Sequence, residues 1–332
     1  MRKNQDRTIE RLQIENLRAI DKIVNMGSDG VKGIWDEAKD SMRTAVIEEY
    51  RRDFDRGNWD LTMAAKLGTF NRIERRIAGV LGAFHSASIL MASMVFKDVY
   101  FHGVLRNAWM IDQVTPPSFD VKLPKSPMFK EAGEIYLGPE SDTAWKVRWS
   151  AWMDAYRNSL MQNLRLGAMN ESEVDDAKDE IDATRPGSPQ ADMWDAIERV
   201  YDNQSNVVYA SAQSDVKEAN PQFEIVEIWQ TRYYDRVCDI CDSNRGLTRD
   251  EADADIPAHP NCGCFWRLVP KSWRSLLMSG DMNDQAIAKA MDASGEVPNA
   301  MLIFNDDGKL VGSTIVEFDK WAEEKMAPIM SI

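Results

Sequence analysis

The stretch that decides the fold reads WQTRYYDRVCDIC at positions 229–241 and, eighteen positions further on, HPNCGC at positions 259–264. It contains all four cysteines of the chain and one of its three histidines. A local cluster of thiols beside a histidine is typical of a metal site in a reducing compartment, whereas a secreted disulfide scaffold spreads its cysteines over the domain. The pattern therefore predicts a metal-binding module and synthesis in the cytoplasm.

Five side chains in this stretch are candidate metal ligands: Cys238, Cys241, His259, Cys262 and Cys264. A Cys-x-x-Cys turn presents two thiolates on one side of a tight loop, and a second knuckle supplies the other two ligands of a tetrahedral zinc site. Either His259 binds together with one of Cys262 and Cys264, or both of these cysteines bind and His259 supports them by a hydrogen bond. The sequence leaves both arrangements open and predicts one structural zinc ion per chain.

The residues around the cluster favour a structural over a catalytic metal. A catalytic zinc keeps an open coordination position beside a carboxylate base. Glu251, Asp253 and Asp255 are close in sequence, but no His-Glu pairing of the protease or deaminase type is present. A redox disulfide between Cys238 and Cys241 is weakened as an alternative by the two further cysteines and the histidine. We therefore expect no catalytic residues and no small-molecule substrate.

The composition is that of an ordered, acidic, soluble protein. The 332 residues are 44% hydrophobic and 28% charged, and 54 acidic residues against 40 basic ones give a formal charge of −14. This charge opposes general binding of nucleic acid, so any contact with DNA must be local. The candidates for such a contact are Arg51, Arg52, Arg56, Arg72, Arg75 and Arg76. Neighbouring acidic residues offset them, which favours a solvated helix face over a stripe that tracks phosphates.

The expected fold class is mainly α, with an elongated helical N-terminal half and a small α+β, zinc-stapled C-terminal module. Within the first half, breaks are expected at Gly27–Gly30 and near Gly57, and Gly79, Gly82 and Gly103 are further candidates. The β-prone runs on either side of Asp307-Gly308 predict a hairpin. We expect five segments along the chain. They are a long-helix region (1–113), a proline-rich arm or loop (114–142), a helix with an acidic connector (143–192), the cysteine-bearing module (193–270), and an extension with the hairpin and a short helix (271–332).

One charge-free run, AGVLGAFHSASILMASMVF at residues 78–96, approaches the length that crosses a bilayer. His85 and three serines dilute it, and Gly79 and Gly82 suit tight packing between helices. A buried helix is favoured, with membrane insertion as the alternative. The N-terminal residues MRKNQDRTIERLQ lack the apolar core of a secretory signal.

Around the cysteine cluster the sequence resembles the C-terminal signature of the Mu-type and SPP1-type phage head-morphogenesis, or minor head, proteins. Besides the cysteines and His259, the resemblance rests on Trp229, Asp235, Val237, Gly246, Pro257, Pro260, Asn261, Val269 and Pro270. Ile197-Glu198-Arg199 matches the start of a helix that precedes the signature in the family, whereas Gly263 stands where arginine is usual. The resemblance is specific over residues 197–270.

The resemblance implies a non-enzymatic structural protein of a tailed bacteriophage, made in the host bacterial cytoplasm and carried in several copies inside the capsid at the portal vertex. Its implied role is to assist head assembly and DNA packaging or ejection. The implied partners are the portal ring, the major capsid or scaffolding protein, and packaged DNA through local contacts. The alternatives are a virion-packaged enzyme or effector with a zinc module, a host zinc-containing adaptor, and a membrane-active ejection protein that uses residues 78–96.

Overall fold

The fold is mainly helical, as the sequence predicts. The computed structural model describes residues 2–53, 63–115, 120–124, 142–169, 181, 189–231, 237–256, 258, 262–270, 302–304, 310–313 and 317–330. Long helices account for most of this part of the chain: α1 (Arg2–Asp53), α2 (Met63–Val114), α3 (Asp142–Met169) and α4 (Pro189–Ala219). The other elements are a 3-10 turn (Pro221–Phe223), β1 (Val226–Gln230), α5 (Asp239–Asn244), β2 (Phe265–Val269), β3 (Leu302–Phe304), β4 (Leu310–Ser313) and α6 (Phe318–Met330).

The strands form two small antiparallel pairs. Strand β1 pairs with β2 in a register that sets Trp229 opposite Trp266. Strands β3 and β4 pair with each other and occupy the two β-prone runs on either side of Asp307-Gly308. The β1–β2 pair positions the cysteine cluster.

The chain folds into two compact units. The first comprises Met1–Ile23, Phe96–Tyr136 and Asn203–Ile332, and the second comprises Val24–Val95 and Leu137–Asp202. Helices α1, α2 and α4 each contribute residues to both. All four cysteines belong to the first unit.

Aromatic side chains on three helices form the core of the second unit. The ring of Trp35 on α1 packs edge-on against Phe84 on α2 and Tyr156 on α3, with centroid distances of 5.0 and 5.2 Å. Trp149, also on α3, is fully buried and meets the ring of Tyr201 on α4 at 6.2 Å. Edge-to-face pairs of this kind add about 0.5–1.5 kcal/mol to the burial of the rings. The aromatic residues of α3 thus belong to the core.

Helix α1 continues through Gly27–Gly30, so the predicted break there is wrong. A Cβ atom at Gly27 would lie 2.3 Å from Cγ2 of Val95 on α2, which means that the glycine allows close contact between the two helices. Burial of Val24 and Val31 on the same helix outweighs the roughly 1 kcal/mol that a glycine costs inside a helix. Helix α2 is also unbroken at its glycines. The break expected near Gly57 lies outside the described residues.

Replacement of Gly27 by alanine is expected to lower the free energy of unfolding by about 1–3 kcal/mol, because the new methyl group overpacks the contact with Val95. Gly33→Ala in the same helix is the matched control. No atom lies within 4 Å of the Cβ position at Gly33, so this change should stabilise the helix by about 1 kcal/mol. Urea denaturation followed by far-UV circular dichroism measures both. Similar effects in the two variants would contradict the close contact.

The charge-free run at residues 78–96 lies within α2 and is buried along one face. Leu81, Phe84 and Val95 point into the core of the second unit, whereas Leu90 and Met94 are 64% and 57% exposed. Among the described helices, the segment Leu67–Val114 is the one that is long and apolar enough to cross a membrane, and 33% of its most apolar window is buried. Core helices and membrane spans share this length and composition. The burial of Leu81, Phe84 and Val95 along one face therefore favours a core helix.

Candidate metal centre

The antiparallel pairing of β1 and β2 brings the two cysteine-bearing segments together. Gln230 at the end of β1 pairs with Phe265 at the start of β2. The chain that leaves β1 towards α5 and the chain that enters β2 therefore lie at the same end of the sheet. Beneath them the indole rings of Trp229 and Trp266 meet edge-on at 5.3 Å and 85°, and both are fully buried. The three buried cysteines pack against this aromatic pair.

Three thiols converge at this end of the sheet. The sulfur atoms of Cys241, Cys262 and Cys264 all lie within 4.8 Å of one another, and all three side chains are buried. The Sγ atoms of Cys241 and Cys262 are 3.8 Å apart. A tetrahedral zinc ion with Zn–S bonds of about 2.3 Å separates two of its sulfur ligands by about 3.8 Å, whereas a disulfide bond is about 2.05 Å long. The spacing and chemistry of these donors therefore fit a metal ion such as zinc.

The three thiols differ in how readily they ionise. Burial raises the pKa of Cys241. The pKa of Cys262 is lowered because the Cys264 thiol and the backbone N–H groups of Cys264 and Ala258 donate hydrogen bonds to its sulfur. The same thiol–thiol hydrogen bond, together with burial, raises the pKa of Cys264. A bound cation would favour ionisation of all three thiols.

The fourth position of a tetrahedral site has two candidate ligands. Cys238 is exposed and precedes α5, where its Sγ accepts a hydrogen bond from the backbone N–H of Cys241 at 3.5 Å. It is not one of the three sulfurs that converge. The other candidate, His259, lies outside the described residues. So do four residues of the resemblance, namely Asp235, Pro257, Pro260 and Asn261.

Gly246 occupies a turn that requires glycine. Its φ angle of +82° lies in the left-handed region, where a side chain is disfavoured. The N–H of Gly246 donates to the carbonyl of Trp229 at 3.0 Å, and the N–H of Trp229 donates to the carbonyl of Leu247 at 2.8 Å. The turn after α5 therefore pairs with β1 along the edge that β2 leaves open. Pro270 is buried directly after β2.

The acidic residues near the cluster are exposed. Glu251 accepts hydrogen bonds from the backbone N–H and the hydroxyl of Thr248, which lower its pKa. Asp255 pairs with Arg249 at 2.9 Å.

Two amide side chains of α4 donate hydrogen bonds to the backbone of the segment that carries Cys262 and Cys264. The sequence analysis did not identify them. Asn206 donates to the backbone carbonyl of Cys262 at 2.5 Å, and buried Gln213 donates to the carbonyl of Trp266 at 2.6 Å. The two residues are two helical turns apart and share a face of α4. Their signal in the sequence is a pair of amides seven residues apart, on either side of the segment VVYASA at residues 207–212.

Nearby, a buried carboxylate joins α4 to the sheet. Glu227 on β1 accepts hydrogen bonds from Lys217 at 2.6 Å and from Arg249 at 3.1 Å. Arg249 also lies over the ring of Trp266, at 5.4 Å from its centroid. These contacts pair the buried charge with cations from both sides, as a buried carboxylate requires.

Three of the arginines considered for DNA contact form ion pairs within the second unit. Arg72 binds Glu49 at 2.8 Å and also Asp53, Arg76 binds Glu48 at 2.8 Å, and Arg52 approaches Glu49 at 3.4 Å. The hydrogen bond from Arg72 lowers the pKa of Glu49. Arg75 donates to a carbonyl of its own helix and Arg51 is exposed, whereas Arg56 lies outside the described residues.

Comparison with known proteins adds no relative. No protein-family model, no curated protein and no solved structure matches the chain. The functional assignment therefore depends on the residues of the motif and on the geometry of the thiol cluster.

Proposed function

We propose that the chain is a minor head protein of a tailed bacteriophage, in which one structural zinc ion stabilises the module at residues 193–270. The observation that carries the proposal is the convergence of three cysteines of the motif into one buried cluster, with sulfur atoms within 4.8 Å of one another. The protein resides inside the capsid at the portal vertex in several copies. It docks on the portal ring, contacts the major capsid or scaffolding protein and packaged DNA, and assists head assembly and DNA packaging or ejection.

The zinc ion compensates for a small core. Strands β1 and β2 are five residues long, and a two-stranded sheet of this size is marginally stable in water. A metal held by Cys241, Cys262 and Cys264 connects α5 to the start of β2 and restricts the chain between them. The cross-link thereby fixes a compact surface that a ring-shaped partner can recognise.

Elemental analysis and a pull-down with the portal ring of the same phage test the proposal together. We expect about one zinc per wild-type chain and capture by the portal ring. Cys241→Ser removes one of the three converging thiols and should lose both the metal and the capture. Ser243→Ala, at an exposed position of the same short helix, is the matched control and should retain both.

The outcomes separate the parts of the proposal. Absence of metal in the wild type would overturn the zinc assignment. Metal without capture by the portal ring would overturn the head-protein assignment and favour the adaptor or effector alternatives. Retained capture by metal-free Cys241→Ser would show that docking does not need the metal. Cys238→Ser identifies the fourth ligand, because it loses metal if Cys238 binds and retains metal if His259 does.

A further inference from the structure

The exposed side of α2 between Arg76 and Lys97 carries no charged residue. Its fully exposed positions run from small to large along the helix: Gly79, Gly82, Ala83, Ser86, Leu90 and Met94. Leu90 and Met94 are 64% and 57% exposed. Residues three or four positions apart lie on the same side of a helix, so these six form one continuous face, which belongs to the second unit. We refer to it as the α2 face.

Two glycines of the α2 face have no close neighbour. Glycine destabilises the interior of a helix, so a helix that contains one usually gains a close contact in return. Gly27 is such a case, because Val95 packs against it. At Gly79 and Gly82, by contrast, no atom of the described residues lies within 4 Å of the Cβ position. The space above these two glycines is therefore open to a second molecule.

The order of small and large residues makes the α2 face complementary to itself. When a second copy lies antiparallel across it, with the two-fold axis at Ser86, Leu90 of one copy reaches the level of Gly82 of the other. Met94 reaches the level of Gly79 in the same way. The large side chains then fill the space above the glycines, and each contact occurs twice, because a two-fold interface uses the same patch on both copies. A parallel pair would instead set large residues against large ones.

Charge and hydrogen bonding also favour a second copy. Each chain carries a net charge of −14, so two copies approach each other most easily where their surfaces lack charge. The hydroxyl of Ser86 donates to the carbonyl of Gly82 at 3.0 Å, so its burial against an apolar surface leaves no donor unsatisfied. A membrane surface is a poorer match, since it binds helices that have large apolar residues on one face and basic residues on the other.

We propose that the α2 face joins two copies of this chain in an antiparallel dimer, with Leu90 of each copy packed over Gly82 of the other. The contact involves one pair of helices over about 24 Å. Such a contact lies at the low end of specific interfaces, so we expect a dissociation constant between about 1 μM and 1 mM. The proposal goes beyond the metal centre and the portal assignment, and it uses the residues of neither.

Sedimentation equilibrium of the full-length chain measures the dimer, and Gly82→Leu tests the contact. The new leucine occupies the space that Leu90 of the second copy needs, so the dimer should weaken at least about tenfold. Leucine also favours a helix over glycine, so the thermal midpoint of the dilute, monomeric chain should rise. The opposite directions of the two effects separate a lost interface from a failure to fold.

Gly33→Leu on α1 is the matched control for Gly82→Leu. The Cβ position at Gly33 is equally open, but exposed Asp29 and Asp36 lie on the same side of the helix. This variant should raise the thermal midpoint as well and leave the dissociation constant unchanged. Equal weakening of the dimer in both variants would overturn the assignment of the contact to the α2 face.

Cysteine cross-linking tests the orientation. Under mild oxidation, Ser86→Cys chains should form a disulfide between two copies, because this position lies at the two-fold axis. Gly79→Cys and Met94→Cys chains should cross-link with each other when they are mixed, and neither should cross-link with itself. Peptide mass spectrometry distinguishes these bonds from any that involve the native cysteines. Self-linking at both positions 79 and 94 would indicate a parallel pair and overturn the proposal.

Salt and vesicles provide the remaining tests. Higher salt should strengthen the dimer, since it screens the repulsion between two acidic chains, and weakening by salt would contradict an uncharged interface. A chain that stays monomeric up to about 1 mM would overturn the proposal. Binding of the monomer to vesicles of phosphatidylethanolamine and phosphatidylglycerol, abolished in Leu90→Ser, would assign the face to a membrane and also overturn it. No measurement involves the portal ring, so failure here is distinct from failure of the proposed function.

Discussion

Removal of the proposed zinc ion with a chelator is expected to raise the hydrogen-exchange rates of the Trp229 and Gly246 amides at least about a hundredfold. These amides bond across the edge between β1 and the turn after α5, at 2.8 and 3.0 Å. Structural zinc contributes about 10–16 kcal/mol to the folding of small zinc peptides. Here the Trp229–Trp266 pair and α4 retain part of the structure, so we expect a smaller loss. A loss of about 2.8 kcal/mol is already a hundredfold in the opening equilibrium.

Amides in the core of the second unit provide the internal control for chelation. Ile73 and Ile77 on α2 are fully buried there, and their exchange rates should stay the same. A uniform increase would indicate general destabilisation by the chelator. Unchanged exchange at Trp229 after verified metal loss would contradict a structural role for the metal.

Replacement of Trp266 by alanine is expected to lower the free energy of unfolding by about 3–5 kcal/mol, because it leaves a large cavity beside the buried cysteines. The change also removes the edge-on contact with Trp229 and the ring beneath Arg249. Urea denaturation followed by tryptophan fluorescence measures the loss. We expect metal content to fall as well, since the cysteines pack against this ring pair.

Trp194→Ala is the matched control for Trp266→Ala. Trp194 is only partly buried, and its Nε1 donates to Glu198 on the same exposed side of α4 at 2.7 Å. Its removal should cost about 1 kcal/mol, in the range of an ordinary mutation. Equal losses in the two variants would contradict the assignment of Trp266 to a packed core.

The sequence predicted the thiol cluster because its geometry is largely local. The Cys262-x-Cys264 segment fixes the spacing of its own two sulfurs, and Cys241 of the Cys-x-x-Cys turn joins them, whereas Cys238 lies outside the group that the structure brings together. The sequence did not predict how the two cysteine-bearing segments come together in the fold. Strand β2 and its register with β1 depend on pairing across some thirty intervening residues. The hydrogen bonds from Asn206 and Gln213 depend on how α4 packs against that sheet.

The predicted break in α1 was wrong for the same reason, because a contact with a distant segment decides the outcome. Glycine weakens a helix locally, and the sequence around Gly27 contains no sign of the distant valine that requires a small residue there. A pocket between α1 and the β1–β2 sheet was equally hidden. Gln13 reads as an ordinary polar position of a helix, and only the folded chain places it beside Thr231 and Arg267. Local propensity therefore predicted the types of elements, whereas contacts between distant segments determined helix continuity and the pocket.

The contact between Gly27 and Val95 also constrains how the protein can evolve. A side chain at position 27 would occupy the space that Val95 already fills, so the two positions cannot drift independently. A larger residue at one position therefore requires a smaller residue at the other. The smaller residue has to arise earlier or at the same time. Natural variants of this chain should therefore show correlated substitutions at these two positions, and Gly33 in the same helix should vary freely.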